Sequence, residues 1–114
     1  DLNERFFFFV LIRQNILYLY SQEVPYSCEV YIDNYVESEK NGKPFAHISA
    51  TIFVARNTQK SILIGKHGEK IKQLGIRSRA DIEEFLDHHI FLELYVKVRE
   101  NWRDDEKQLK HFGY

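Results

Sequence analysis

The chain has 114 residues, a formal charge of −1, 44% hydrophobic and 29% charged residues. These are ordinary globular values, so they exclude a disordered or fibrous chain and point to one domain around a single core. The one cysteine, Cys28, excludes an internal disulfide and a Cys-rich zinc site, and sets a reducing, cytoplasmic location as the expectation. A start at Asp1 rather than Met leads us to expect a piece of a longer protein.

The first predicted element is a helix over about residues 4–22. Phe9, Ile12, Ile16 and Leu19 recur at spacings of 3, 4 and 3 and define one face. Its first half, with Phe6–Phe9, is apolar almost all round. That fits a helix sunk in the core, or one that also packs against something outside this sequence. The apolar run Phe6–Ile12 is far short of the roughly twenty residues needed to cross a bilayer, and it lacks the flanks of a signal peptide. Pro25 closes the helical region and starts an extended stretch.

Three segments then alternate with period two, the pattern of strands covered on one face. In the first, Cys28, Val30 and Ile32 oppose Glu29, Tyr31 and Asp33. In the second, Ala46, Ile48, Ala50, Ile52 and Val54 oppose His47, Ser49, Thr51 and Phe53. In the third, Ile90, Leu92, Leu94, Val96 and Val98 oppose Phe91, Glu93, Tyr95 and Lys97. Asn41-Gly42 marks a turn between the first two, in a loop expected to be longer than a minimal hairpin. Tyr31, Tyr35, Phe53, Phe91 and Tyr95 are expected to share the uncovered face. There they serve as a stacking platform, a docking face, or cross-strand pairs that stabilise the sheet.

Between the second and third strands, Asn57 or Thr58 is the expected N-cap of a short helix ending at Ile64. A second helix of about four turns starts near Gly68, with Ile71, Leu74, Ser78, Ile82 and Phe85 on its apolar face. A short tail helix is expected near Asp104–Phe112. Runs of helix and strand without βαβ regularity predict a two-layer α+β domain, its helices on the apolar face of a three-stranded sheet.

The chemistry concentrates in the segment Ser61–Lys72. Gly65 and Gly68, with two residues between them, permit a sharp reversal and leave no β-carbons to hold a polyanion away. Backbone amides at the following helix's N-terminus can face a phosphate. Lys60, Lys66, Lys70, Lys72, Arg77 and Arg79 stand against a single acid, Glu69, between positions 60 and 79. Ile62, Ile64 and Ile71 offer an apolar floor for unstacked bases. That combination suits single-stranded RNA or DNA, with Lys60, Lys66, Lys70 and Lys72 neutralising the backbone. A bare GxxG also occurs in ordinary helix–helix turns, so its strand and helix context carries the argument. Neither GxxxxGK[ST] nor GxGxxG occurs, so no nucleotide site and no catalytic residue is expected in this chain. His88-His89 reads as a turn-exposed pair rather than a metal site, and Glu83-Glu84 and Asp104-Asp105-Glu106 as exposed helix carboxylates.

These features together resemble a type II KH domain, helix–strand–strand–helix–helix–strand, and more narrowly the C-terminal domain of the bacterial Era-type GTPases. The residues that carry the resemblance are Glu23-Val24-Pro25-Tyr26-Ser27, the run Arg56–Gly65 and Tyr95-Val96-Lys97-Val98. Trp102-Arg103-Asp104-Asp105-Glu106 and Phe112-Gly113-Tyr114 complete it. The resemblance spans about Arg5 to Tyr114 and implies one KH-like domain over 1–114, with a tail at 100–114. It implies RNA binding by the loop Gly65, Lys66, His67 and Gly68, with Lys60, Ile62, Ile64, Ile71 and Lys72 lining the groove. It further implies binding near the 3′ end of small-subunit ribosomal RNA during subunit maturation, and an N-terminal GTPase partner domain that would hold GTP and Mg. A monomer in the cytoplasm, with peripheral association at the inner membrane, is the expected state. Two residues depart from the family pattern: His67 stands where a small or polar residue is usual, and Phe6–Phe9 is bulkier than the usual start of the first helix.

Overall fold

The computed structural model describes residues 2–20, 24 and 28–99. Its order is α1 (Leu2–Leu19), β1 (Cys28–Lys40), β2 (Lys43–Val54), α2 (Asn57–Ile64), a 3₁₀ turn (Lys66–Gly68), α3 (Glu69–Leu86) and β3 (His89–Val98). This is the expected α+β arrangement, three helices over a three-stranded mixed sheet. The tail helix expected near Asp104–Phe112, with Trp102 and Arg103, lies outside the described residues.

The sheet order is β1-β2-β3; β1 pairs antiparallel with β2, and β2 parallel with β3. Parallel neighbours need a crossover, and α2 and α3 provide it. The core lies between sheet and helices. Its centre is β2, whose Ala46, Ile48, Ala50 and Ile52 are fully buried, against Phe8, Ile12 and Ile16 of α1, Leu63 of α2, and Leu74 and Ile82 of α3. On the edge strand β3 only Ile90 is buried, while Leu92, Leu94, Val96 and Val98 pack against the core half-buried.

Several boundaries differ from the sequence reading. Helix α1 ends at Leu19 rather than near residue 22, and its buried face runs through Phe8, Ile12, Ile16 and Tyr20, with Phe9 only partly covered. Where nearly every position is apolar, spacing alone cannot choose between adjacent faces. Asn15 sits on the buried face too. Its Nδ2 donates to Ser78 Oγ (3.2 Å) and Asp81 Oδ2 (2.9 Å), which joins α1 to α3 through satisfied polar groups. Helix α3 runs 18 residues, five turns rather than four. Its Ile71 is half-buried, and Phe85 is exposed and stacks on Phe7.

The first two strands are joined by a minimal hairpin, not a longer loop. Lys40 pairs with Lys43, and Asn41 and Gly42 both take positive φ (53° and 75°), as a two-residue turn of the I′ type requires. A bulge lies between Ile32 and Asn34, where the register with β2 shifts. Arg5 of α1 donates to the Ile32 carbonyl beside it (3.3 Å). Past the bulge the faces exchange, so Tyr35 pairs with inward-facing Ile48 and its ring meets Phe8 edge-on at 4.9 Å. Tyr35 therefore leaves the outer aromatic face on which the alternation placed it, and Val36 joins that face opposite His47.

Candidate nucleic-acid interface

The N-cap of α2 is Arg56, which has extended backbone, rather than Asn57 or Thr58. The Gln59 side chain reaches back to accept from the amides of Ala55 and Arg56, both at 3.0 Å. A Gln three residues into a helix was the available sequence signal for this cap. The helix is pinned by Leu63, which is fully buried. It ends where the Gly65 amide donates to Ser61 O (2.9 Å); the Gly68 amide then donates to Gly65 O (3.1 Å) and closes the turn. Neither bond uses the amides of Lys66 or His67, which are the donors the turn can offer a phosphate.

The backbone of this turn is unusual at three of its four residues. Gly65 has φ 76° and ψ 176°, a conformation essentially reserved for glycine. A β-carbon there would lie 2.7 Å from Lys70 Cβ. Gly68 is left-handed (φ 73°, ψ 14°) and faces open space. His67 is left-handed as well (φ 55°, ψ 26°), in a region where histidine is enriched among non-glycine residues. Helix α3 begins immediately after, at Glu69, so the turn sits on a helix N-terminus.

Around the turn, Lys66, His67 and Lys72 are exposed and Lys60 is half-buried; Ile62 is exposed, while Ile64 and Ile71 are half-buried. The basic and apolar residues singled out in the sequence thus flank one reversal on α2 and α3. Lys70 is placed differently. Its ammonium donates to the Leu19 carbonyl at the end of α1 (3.0 Å) and lies over the Tyr20 ring. In return, the buried Tyr20 hydroxyl donates to the Leu63 carbonyl in the last turn of α2 (2.6 Å), and burial pushes its pKa up to about 12. Tyr20 was not identifiable from sequence, because no local pattern announces a bond across 43 positions.

The other candidate groups separate from this site. The Glu83 carboxylate accepts from the Ile90 amide (3.0 Å) and meets His89 Nδ1 (3.2 Å), so it clasps the end of α3 to the start of β3. His88 Nδ1 lies 2.9 Å from the His89 carbonyl. Among the described residues, no group of three or more His, Cys, Asp or Glu could hold a metal ion, and no helix is long and apolar enough to cross a membrane.

The KH domain family model matches residues 23–103. GTPase Era of Geobacter sp. (strain M21) is 46% identical over 114 residues, all of this chain and 37% of that protein. The chloroplastic GTPase ERA1 of Zea mays is 46% identical over 111 residues, 97% of this chain and 26% of that protein. Two solved structures superpose with a TM-score of 0.78 at 33% identity, covering 96% of this chain and 36% of theirs. One is a variant of Aquifex aeolicus Era bound to GDP and AlF4−; the other is Era in complex with MgGDPNP and nucleotides 1506–1542 of 16S ribosomal RNA. The chain spans little more than a third of these bacterial relatives.

Proposed function

The chain belongs to the KH domain family, and from that premise we propose that it binds single-stranded RNA, in particular the 3′-end region of small-subunit ribosomal RNA. The observation that carries this reading is the Gly65–Gly68 reversal at the N-terminus of α3, with unused amides at Lys66 and His67 and a basic flank. The relative solved with 16S ribosomal RNA supports the choice of ligand. In this reading phosphates rest at the turn, bases lie over Ile62, Ile64 and Ile71, and Lys60, Lys66 and Lys72 supply positive charge.

The domain would then serve as the RNA-binding part of an Era-type GTPase in small-subunit maturation. GTP and Mg belong to that protein's other domain, and none of the chemistry of hydrolysis is assigned to residues here. A monomeric, cytoplasmic protein with peripheral contact at the inner membrane completes the reading; exposed Phe6 and Phe7 are the residues that support membrane contact.

The test is a fluorescence-anisotropy titration with a short RNA matching the 3′ end of 16S ribosomal RNA. Replacing Lys66 and His67 together by Asp is expected to abolish binding while leaving the circular dichroism spectrum intact. An unchanged affinity would overturn the proposal.

A further inference from the structure

The sheet face turned away from the helices holds a trough built from chemistry different from that of the glycine turn. In the middle of the central strand β2 the outward residues are short: Ser49 and Thr51, only 7% and 3% exposed although they face away from the helical layer. The flanking strands carry tall side chains, so the sheet is hollow along its middle. The result is an open trough of about 560 Å³, walled by Asp33 on β1 and by Glu93, Tyr95 and Lys97 on β3, with Phe53 and His47 towards its ends.

The polar groups in this trough are already ordered. Thr51 Oγ1 donates to Asp33 Oδ2 (2.6 Å), Asn34 Nδ2 to Ser49 Oγ (3.2 Å) and Tyr95 OH to Glu93 Oε2 (2.9 Å), and His47 Nε2 bonds the other Glu93 oxygen. Each carboxylate oxygen has two lone pairs, so both Asp33 and Glu93 retain acceptor capacity. The two belong to strands on either side of β2, about 10 Å apart across the sheet, with Ser49 between them. Lys97 pairs with Phe53 and sits four residues, about 13 Å, along β3 from Glu93. Lys97 thus marks one end of the trough and His47 the other, with the two carboxylates between them.

Rings on the same face already take cations within the chain, and Lys40 Nζ lies 5.0 Å from the Phe45 ring centroid. The Arg99 guanidinium lies 4.1 Å from the Phe53 ring centroid and 5.9 Å from that of Tyr31. What distinguishes a planar guanidinium is that it takes carboxylates in a fork, which a compact ammonium does not. A polyanion gains nothing between two carboxylates.

We propose that this trough receives, between Asp33 and Glu93, an arginine side chain presented by a protein partner, leaving the RNA to the opposite side of the domain. Tyr95 forms a wall beside the guanidinium, and Asp33 and Glu93 accept its N–H groups. The site is independent of the glycine turn.

The probe is the tripeptide Ac-Gly-Arg-Gly-NH2, titrated into the ¹⁵N-labelled chain and followed by amide shifts in NMR spectra. Saturable shifts are expected at Ser49, Thr51, Glu93 and Tyr95, and larger ones than with the lysine analogue. The glutamate analogue should leave these positions unmoved. Asp33→Asn and Glu93→Gln are each expected to weaken arginine binding roughly tenfold, as lost charge-assisted bonds should, and Lys97→Ala to strengthen it. Absence of saturable shifts, equal shifts with the glutamate peptide, or shifts at these amides on adding the RNA would each overturn the proposal. The peptide series on the unaltered chain decides even where a variant folds poorly.

Discussion

Gly65 and Gly68 share a left-handed φ but not a reason for needing glycine. At Gly65 both the backbone angles and the 2.7 Å approach to Lys70 Cβ exclude a side chain, whereas at Gly68 only the angle does. Gly65→Ala is therefore expected to cost about 3 kcal/mol and Gly68→Ala about 1 kcal/mol in urea denaturation; equal costs would refute the distinction. Lys66 and Lys70 are likewise two lysines with two roles. Lys66 is exposed in the turn, so Lys66→Ala should weaken RNA binding and reduce the magnitude of its salt slope by about 1. Lys70 ties the end of α1 to the start of α3, so Lys70→Met should lower stability and leave the salt slope unchanged. A reduced slope for Lys70→Met would return it to the phosphate contacts that its place in the sequence suggested. Tyr20→Phe leaves the Leu63 carbonyl without its donor and is expected to cost about 1–3 kcal/mol in the same denaturation assay.

At the scale of elements, the junction of α3 and β3 gives the domain an acid-sensitive clasp. Burial acts to raise the Glu83 pKa, but bonds from the Ile90 amide and His89 outweigh it and hold the carboxyl below its ordinary value of 4.5. A depressed folded pKa means that the stabilisation is fully present above the unfolded value and is lost as pH falls through the folded one. The melting-temperature advantage of the unaltered chain over Glu83→Gln should therefore shrink on acidification below about pH 4.5; a constant gap would sink the idea. Sequence showed the period-two strands, the apolar face of α3 and the glycine reversal, because each is a local repeat or a local steric demand. It did not show the bulge at Asp33, since one inserted residue leaves no compositional trace, and strict alternation without the bulge puts Tyr35 on the outer face. It did not show the α1 face, because an all-apolar stretch has no phase. Nor did it show the Tyr20, Lys70 and Glu83 contacts, which depend on elements distant in sequence or on the geometry of a junction. The charge of Lys70 is visible in the sequence, whereas its bond to the Leu19 carbonyl is not.

Taken whole, the molecule separates its chemistry by side. The basic flank and the turn belong to α2 and α3, while the carboxylate-walled trough lies across the sheet from them. RNA that binds only the folded chain should raise its melting temperature by an amount that grows with RNA concentration and diminishes with added salt. A thermal shift independent of salt would count against phosphate contacts. The turn also forms part of the connection between β2 and its parallel partner β3, and β3 is the last of the three strands in chain order. Folding of a nascent chain is constrained by that order. While residues beyond Asp87 are unmade, α2 and α3 have no strand β3 to pack against, although every residue of the turn has already been added. A truncated chain ending at His88 should accordingly contain the whole turn and fail to bind RNA in the anisotropy titration. On the proposed reading, the domain gains its capacity to bind RNA only once β3 has been added to the growing chain.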